Sequence, residues 1–233
     1  MHTWRVSERT VSILERPVYG IVEAAGLLGL RPDRVRAWLD GYERTGRTYE
    51  PVIRIEPTGE DIVTWGEFVE LGYLREYRRN RVSMQRLRPV VDVLREEFET
   101  PYPLATARPF IYDKELVLKA QQDAGLPDAI GIVIRSGQEI MMTPETNRFF
   151  KKVDFDPSGD ARRLLPAGPA SPVVIDPLVR FGRPSVEGVA TERLWELYDA
   201  GEDLDEIAVA YELDSHAVRS AVAFEDQYRS LAA

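Results

Sequence analysis

Arginine is the residue type with the most concentrated chemistry in this sequence. Between residues 75 and 88 six positions are arginine (Arg75, Arg78, Arg79, Arg81, Arg86 and Arg88), set against the single acid Glu76. A second group, Arg31, Arg34 and Arg36, follows a glycine-containing break, and Arg54 lies further along. A guanidinium presents five donors in a rigid fork that matches phosphate oxygens and the guanine edge, so clusters of this kind point to nucleic acid. The competing account is a solvated arginine face on a helical protein-binding module. For any one arginine alone that account suffices; the clustering, taken with the order of elements given below, favours DNA.

Catalysis has little to draw on. There is no cysteine, and His2 and His216 are the only histidines, so thiolate chemistry, a Ser/His/Asp triad and a histidine-rich metal site all lack material. His216 falls at a helix start and reads as a surface residue. The carboxylate pairs Glu96–Glu97 and Asp154/Asp156 do not converge with other groups, and adjacent residues on a helix do not face one another. No phosphate-binding glycine loop, dinucleotide fingerprint or nucleophile elbow occurs. The expectation is a binding protein with no catalytic residue, no metal and no cofactor.

The net charge of −9 runs against DNA binding until its distribution is considered. Residues 190–233 hold eleven acids and three arginines, a net −8, which leaves the other 189 residues near neutrality. Phosphates would repel that acidic end, so its acids, Glu202, Asp203, Asp205, Glu206 and Glu212, are expected to face protein instead. An ordinary solvated face over a three-helix core explains them equally well. The 44% hydrophobic and 30% charged fractions fit a soluble globular chain. No apolar run approaches the ~18 residues of a membrane span, and the first residues lack the apolar stretch of a leader. A cytoplasmic protein without membrane contact is expected.

The elements that must position these residues can be read from spacing. Residues 1–17 read as an arm with alternating apolar positions, the pattern of a short strand at Thr10–Leu14. A first helix begins at Tyr19, with Ile21, Ala24, Ala25 and Leu28 on one face. Gly29 suits a left-handed C-terminal stop, and Pro32 suits the first turn of a second helix. That helix turns Val35, Trp38 and Leu39 inward and Arg31, Arg34 and Arg36 outward, and Gly41 ends it. Val52–Ile55 and Asp61–Val63 flank Pro57–Glu60 as a predicted hairpin, with Arg54 on it. Thr64 and Glu67 form a capping box for a helix over about 65–79. Ser83 caps a further helix to about Phe98, with Leu87, Val90, Val91 and Leu94 as its apolar stripe.

Residues 99–109, with three prolines, read as a linker. Residues 110–156 read as a β-rich middle with a turn at Ser136–Gly137, and 157–172 as a second linker. In 173–233 three helices follow Gly188, the second capped by Asp203 and the third by Asp214 or Ser215, with Trp195 and Phe224 assigned to the core. The fold class is α+β, predominantly helical. Its parts are a winged helix-turn-helix over 18–98, a small β-rich middle and a C-terminal trihelical domain.

Over 18–98 the sequence resembles the MerR-like winged-helix regulators, through Tyr19, Glu23-Ala24-Ala25, Val35-Arg36-Ala37-Trp38 and Val63-Thr64-Trp65-Gly66-Glu67-Phe68. The C-terminal part resembles a small trihelical antitoxin family, through Asp176-Pro177, Phe181-Gly182-Arg183-Pro184, Gly188, Thr191, Ala200-Gly201-Glu202, Ile207, Tyr211 and Ala221. Together these resemble a VapB-type antitoxin. That resemblance implies operator DNA and a PIN-like ribonuclease toxin as partners, with autorepression; a homodimer is expected because helix-turn-helix operators are commonly two-fold. Expected DNA contacts are Arg31, Arg34, Arg36, Arg54, Arg75, Arg78, Arg79 and Arg81. The alternatives are a MerR-like regulator without a toxin, which could use the β-rich middle as a small-molecule pocket, and a pure protein-interaction adaptor.

Overall fold

The apolar spacing around Ala24 does form a helix, α1 (Ile21–Leu27), which buries Ile21, Ala24 and Ala25. It starts two residues after Tyr19, because Tyr19 belongs to strand β1 (Pro17–Gly20) and lies buried against Phe68. Gly29 takes φ 58°, which lets the Leu30 amide donate to the Ala25 carbonyl at 2.8 Å and close the helix end. Helix α2 (Pro32–Asp40) opens with proline in its first turn and buries Val35, Trp38 and Leu39. The computed structural model describes residues 12–79, 81–106, 134–135, 138–140 and 148–232. Expectations for Thr10–Val11, most of 110–147 and the Ser136–Gly137 turn lie outside the described residues.

The hairpin after α2 is not where the residue types predicted it. Strands β2 (Tyr42–Arg44) and β3 (Arg47–Tyr49) pair antiparallel around Thr45–Gly46, both at positive φ (51° and 69°). The Tyr42 and Tyr49 rings stack at 4.5 Å across the pair. Val52–Ile55 instead runs as bends, with the Val52 and Ile53 amides donating to the Trp38 carbonyl and both side chains buried. Strand β4 (Ile62–Thr64) pairs with β1, not with residues 52–55. Residues 12–17 are likewise no free arm: a 3-10 turn at Ile13–Glu15 buries Leu14.

Helix α3 (Trp65–Arg79) starts on the expected capping box. The Thr64 amide donates to Glu67 at 2.8 Å and the Glu67 amide to the Thr64 hydroxyl at 3.3 Å. Twelve of its fifteen residues are buried, so it acts as the central post of the fold. Helix α4 (Met84–Glu97) packs Leu87, Val90, Val91 and Leu94 inward and contains Pro89. The predicted linker at 99–109 is packed where described: a 3-10 turn at Pro103–Ala105 is buried, and the Leu104 amide donates to Glu70 at 2.9 Å. Glu70 is fully buried and its Oε2 has no hydrogen-bond partner, and burial pushes its carboxyl up to about 8.

Past the middle of the chain, β5 (Ile134–Arg135) pairs with β6 (Gln138–Ile140), as a β-rich segment predicts. Strand β7 (Val153–Phe155) pairs with β8 (Ala161–Leu164), so the second predicted linker is partly sheet. That hairpin completes the first core. Trp65 Nε1 donates to the Ala161 carbonyl at 2.7 Å, Phe149 packs edge-on to Tyr73 at 4.8 Å, and Val153, Leu164 and Ile175 join the same cluster.

A second core gathers Val173, Val186, Leu194, Ile207, Ala208, Ala217, Val218 and Ala221. It is built from the short pair β9 (Ser185–Val186) and β10 (Val189–Ala190) and three helices, α5 (Thr191–Asp199), α6 (Leu204–Ala210) and α7 (Ser215–Ala232). Asp203 caps α6 as predicted, accepting from the Asp205 and Glu206 amides. Trp195 is half-buried, not core: its indole donates to Asp226 at 2.7 Å and carries the Arg229 guanidinium 3.7 Å above its ring. The two cores touch along β1 and α1: the Tyr19 hydroxyl donates to the Gly182 carbonyl, and Tyr228 packs against Gly26.

Candidate nucleic-acid interface

Helix α2, the β2–β3 hairpin and the corner between α3 and α4 enclose an open cleft of about 680 Å³. Arg31, Arg34, Arg44, Arg78 and Arg88 line it, with Asp33 as the one acidic side chain, over a wall that includes Trp38, Tyr42 and Tyr49. The elements explain the convergence. Arg31 and Arg34 sit at the start of α2 because burial of Val35, Trp38 and Leu39 turns the other face outward. Arg44 and Arg47 oppose each other in the hairpin register, next to its turn, and both are exposed.

These arginines differ in how far they are already committed. No ion pair among the described residues involves Arg34, Arg44, Arg47 or Arg81. Arg31 pairs with Asp33 at 3.0 Å and Arg36 with Asp61 at 2.6 Å, all four groups being exposed, so these pairs are weak and exchangeable. Arg88 donates to the Pro51 carbonyl at 3.0 Å and to that of Glu50, tying the hairpin's exit to α4. Arg78 donates to the Val82 carbonyl at 2.7 Å and so holds the α3–α4 corner.

Arg54 is no wing residue. It is 9% exposed and bonds Glu67 (2.8 Å), Asp40 (2.8 Å), the Thr58 hydroxyl (2.5 Å) and the Ile62 carbonyl (2.7 Å). Burial alone would raise the Asp40 carboxyl, but hydrogen bonds from Arg54 and from the Thr58 and Gly59 amides outweigh it and hold it below its ordinary value. Arg54 thus fixes the end of α2 to the start of α3. Arg75 also faces inward, donating to the Leu28 carbonyl at 2.6 Å and pairing with Glu76 at 2.5 Å. Arg79 remains exposed beside Glu76 at 3.3 Å, and Arg81 is exposed in a turn at φ 62°.

Of the eight arginines read from sequence, the structure brings Arg31, Arg34 and Arg78 into one cleft, leaves Arg36, Arg79 and Arg81 exposed outside its lining, and turns Arg54 and Arg75 inward. Sequence reasoning missed Arg44, Arg47 and the tyrosine pair, and it held Arg88 only as part of the 75–88 cluster. A signal was present in Tyr42-Glu-Arg-Thr-Gly-Arg-Thr-Tyr49, which is symmetric about a Thr-Gly turn.

At the other end of the molecule Glu202, Glu206 and Glu212 are exposed, and Val209, 80% exposed, stands among them on α6. Asp203 serves as a helix cap, and Asp205 accepts from Ser215 at 2.6 Å with Arg219 at 3.7 Å. Among the described residues no group of three or more His, Asp or Glu side chains is arranged to hold a metal ion. No helix of the described residues is long and apolar enough to cross a membrane.

Known proteins are similar to this chain. The X-ray crystal structure of Rv2018 from Mycobacterium tuberculosis superposes with a TM-score of 0.71 at 25% identity, covering 91% of this chain and all of that one. The protein named "Putative antitoxin VapB45", from the same organism, is 28% identical over 188 residues, 74% of this chain and 77% of its own. Residues 173–224, most of the trihelical unit, match the family described as "Protein of unknown function (DUF433)". The Mycobacterium tuberculosis protein Rv2308, described as uncharacterized, is 34% identical over 232 residues, 97% of each chain. Agreement at that level over nearly the full length of both chains places this protein in the family of Rv2308.

Proposed function

We propose that this protein is a DNA-binding antitoxin that represses its own operon and neutralises a PIN-like ribonuclease, acting by binding and not by catalysis. The observation that carries the DNA part is the cleft in which five arginines from four different elements converge beside an α2 start and a hairpin. Its shape suits a duplex: α2 enters the major groove with Arg31 and Arg34 leading, and Arg44 and Arg47 follow on the hairpin toward neighbouring phosphates. The similarity to a protein named as an antitoxin supports the toxin part. The exposed acids around Val209 suit a basic partner surface and keep that end of the molecule away from the phosphates.

The test is a mobility shift on the DNA upstream of the protein's own gene. Binding at low salt is expected, weakening steeply as salt rises, and Arg34→Ala and Arg44→Ala should each reduce it. Absence of a shift at low salt would overturn the DNA reading. For the toxin reading, a neighbouring reading frame encoding a ribonuclease should be toxic alone and harmless when co-expressed with this chain. Failure of the two products to associate would count decisively against it.

A further inference from the structure

Helix α1 and the trihelical unit leave a cleft of about 410 Å³ between them. That volume lies within the ~300–1,000 Å³ of small-molecule sites, and a seam between two cores is where such sites form. Its charged lining comes from four places in the chain. Glu23 enters from α1, Arg183 from the loop before β9, Glu192 from the start of α5, and Glu225 and Arg229 from α7. Tyr228 bridges the seam. Its ring packs against Gly26, and burial, followed by the charges of Glu23 and Glu225, pushes its hydroxyl above the ordinary value. Both carboxyl groups therefore lie near one hydroxyl.

Several of these groups are held in place with hydrogen-bonding capacity unspent. Glu225 is 4% exposed, and its Oε1 accepts from the Thr191 hydroxyl at 2.5 Å. Its Oε2 has the Arg229 guanidinium at 3.7 Å, beyond hydrogen-bond range, and no hydrogen bond among the described residues. Burial holds this carboxyl above its ordinary value, although Thr191 and Arg229 act the other way; Glu192 and Asp226 add to the rise. Arg229 sits over the Trp195 ring at 3.7 Å, on an indole that is itself fixed by Asp226, and stands 3.9 Å from Glu192. The guanidinium is thus oriented, yet among the described residues it makes no hydrogen bond. Glu23 and Arg183 form no ion pair among the described residues either.

We infer that this seam binds a free basic α-amino acid, its carboxylate on Arg229 and Arg183 and its cationic groups on Glu225 and Glu23. The presence of both charge signs names the class. A guanidinium fork with unspent donors matches a carboxylate, and an ammonium brings three donors to carboxyl oxygens. Three acids against two arginines leave the lining with one negative charge in excess, and arginine and lysine each carry one net positive charge to balance it. A phosphate or nucleotide would instead meet Glu23, Glu192 and Glu225. A polyamine would leave both guanidiniums unmatched. The seam shares no residue with the arginine cleft, so this inference stands apart from the DNA reading.

The test is isothermal titration calorimetry of the full chain with L-arginine and with L-lysine. Saturable binding at one site per chain is expected, with a dissociation constant below about 1 mM. Agmatine lacks the carboxylate and Nα-acetyl-arginine lacks the α-ammonium, so each should bind at least about tenfold more weakly than arginine. Glu225→Gln keeps an acceptor for Thr191, while Glu23→Gln and Arg229→Gln change exposed groups, so thermal melting should show all three variants folded. Each should weaken arginine binding by about tenfold or more, and Glu206→Gln, on the acidic face of α6, should leave it unchanged. No binding of either amino acid up to about 10 mM, equal binding of agmatine, or an affinity untouched by the three substitutions would each overturn the inference.

Discussion

Replacing Glu70 by glutamine isolates what it costs α3 to bury a carboxyl group. In the folded chain Oε1 accepts the Leu104 amide at 2.9 Å, Oε2 has no partner, and burial holds the group at about 8 against an ordinary 4.5. The folded state therefore keeps the proton, and the unfolded chain releases it near pH 4.5. Stability is unaffected below that value, falls by about 1.4 kcal/mol per pH unit between pH 4.5 and 8, and levels off above. The full penalty is on the order of 5 kcal/mol. Glutamine keeps the acceptor for Leu104 and cannot ionise, but it places an unpartnered amide donor where Oε2 was, at about 1–3 kcal/mol. Glu70→Gln should therefore be slightly less stable than the wild type at pH 4.5. The two should cross between about pH 5 and 7, and the variant should be more stable by about 2–4 kcal/mol above pH 8. Urea denaturation midpoints measured at pH 4.5, 6.5 and 8.5 report the difference directly. A difference that does not change with pH would refute the reasoning, as would a wild type that gains on the variant as pH rises.

Arg34→Ala and Arg44→Ala should each weaken operator binding by roughly 1–3 kcal/mol where they reach a base and flatten the salt dependence where they reach a phosphate, with melting unchanged. Arg54→Ala should behave in the opposite way. It leaves Asp40 and Glu67 buried without their partner, so a loss of about 3–5 kcal/mol of stability is expected, seen as an earlier urea midpoint before any DNA is added. Gly72→Ala sets a methyl 2.0 Å from the Phe149 ring, and calorimetry should show a loss of about 1–3 kcal/mol from overpacking.

What was legible in the sequence was the part encoded by local period and caps. The α1–turn–α2 unit follows from Ile21, Ala24, Ala25 and Leu28, with Gly29 and Pro32 supplying the punctuation, and Thr64 with Glu67 marks the start of α3. The hairpin escaped because most of its side chains are exposed, so it carries no apolar alternation to detect. Val52-Ile-Arg-Ile55 has strand-type residues, yet its amides go to Trp38 and Arg54 is drawn inward by Asp40 and Glu67, fourteen and thirteen residues away. No local pattern records partners at that distance. Proline and glycine at 157–172 read as a linker because composition cannot report that Ala161 and Leu164 close the core against Trp65 and Val153.

That closure bears on how the chain is made. Through Trp65 and Tyr73, α3 relies on Phe149 and Ala161, so the first core stays open on one side when α4 has been synthesised. From residue 98 to Ile175, at ~5–20 residues per second, translation takes roughly 4–15 s. During that interval the largely buried helix α3 waits on the ribosome without its cover. A chain cut short within that stretch would present the arginines with no finished scaffold behind them. Docking of the β7–β8 hairpin, with Val153, Ala161 and Leu164, closes that side of the core.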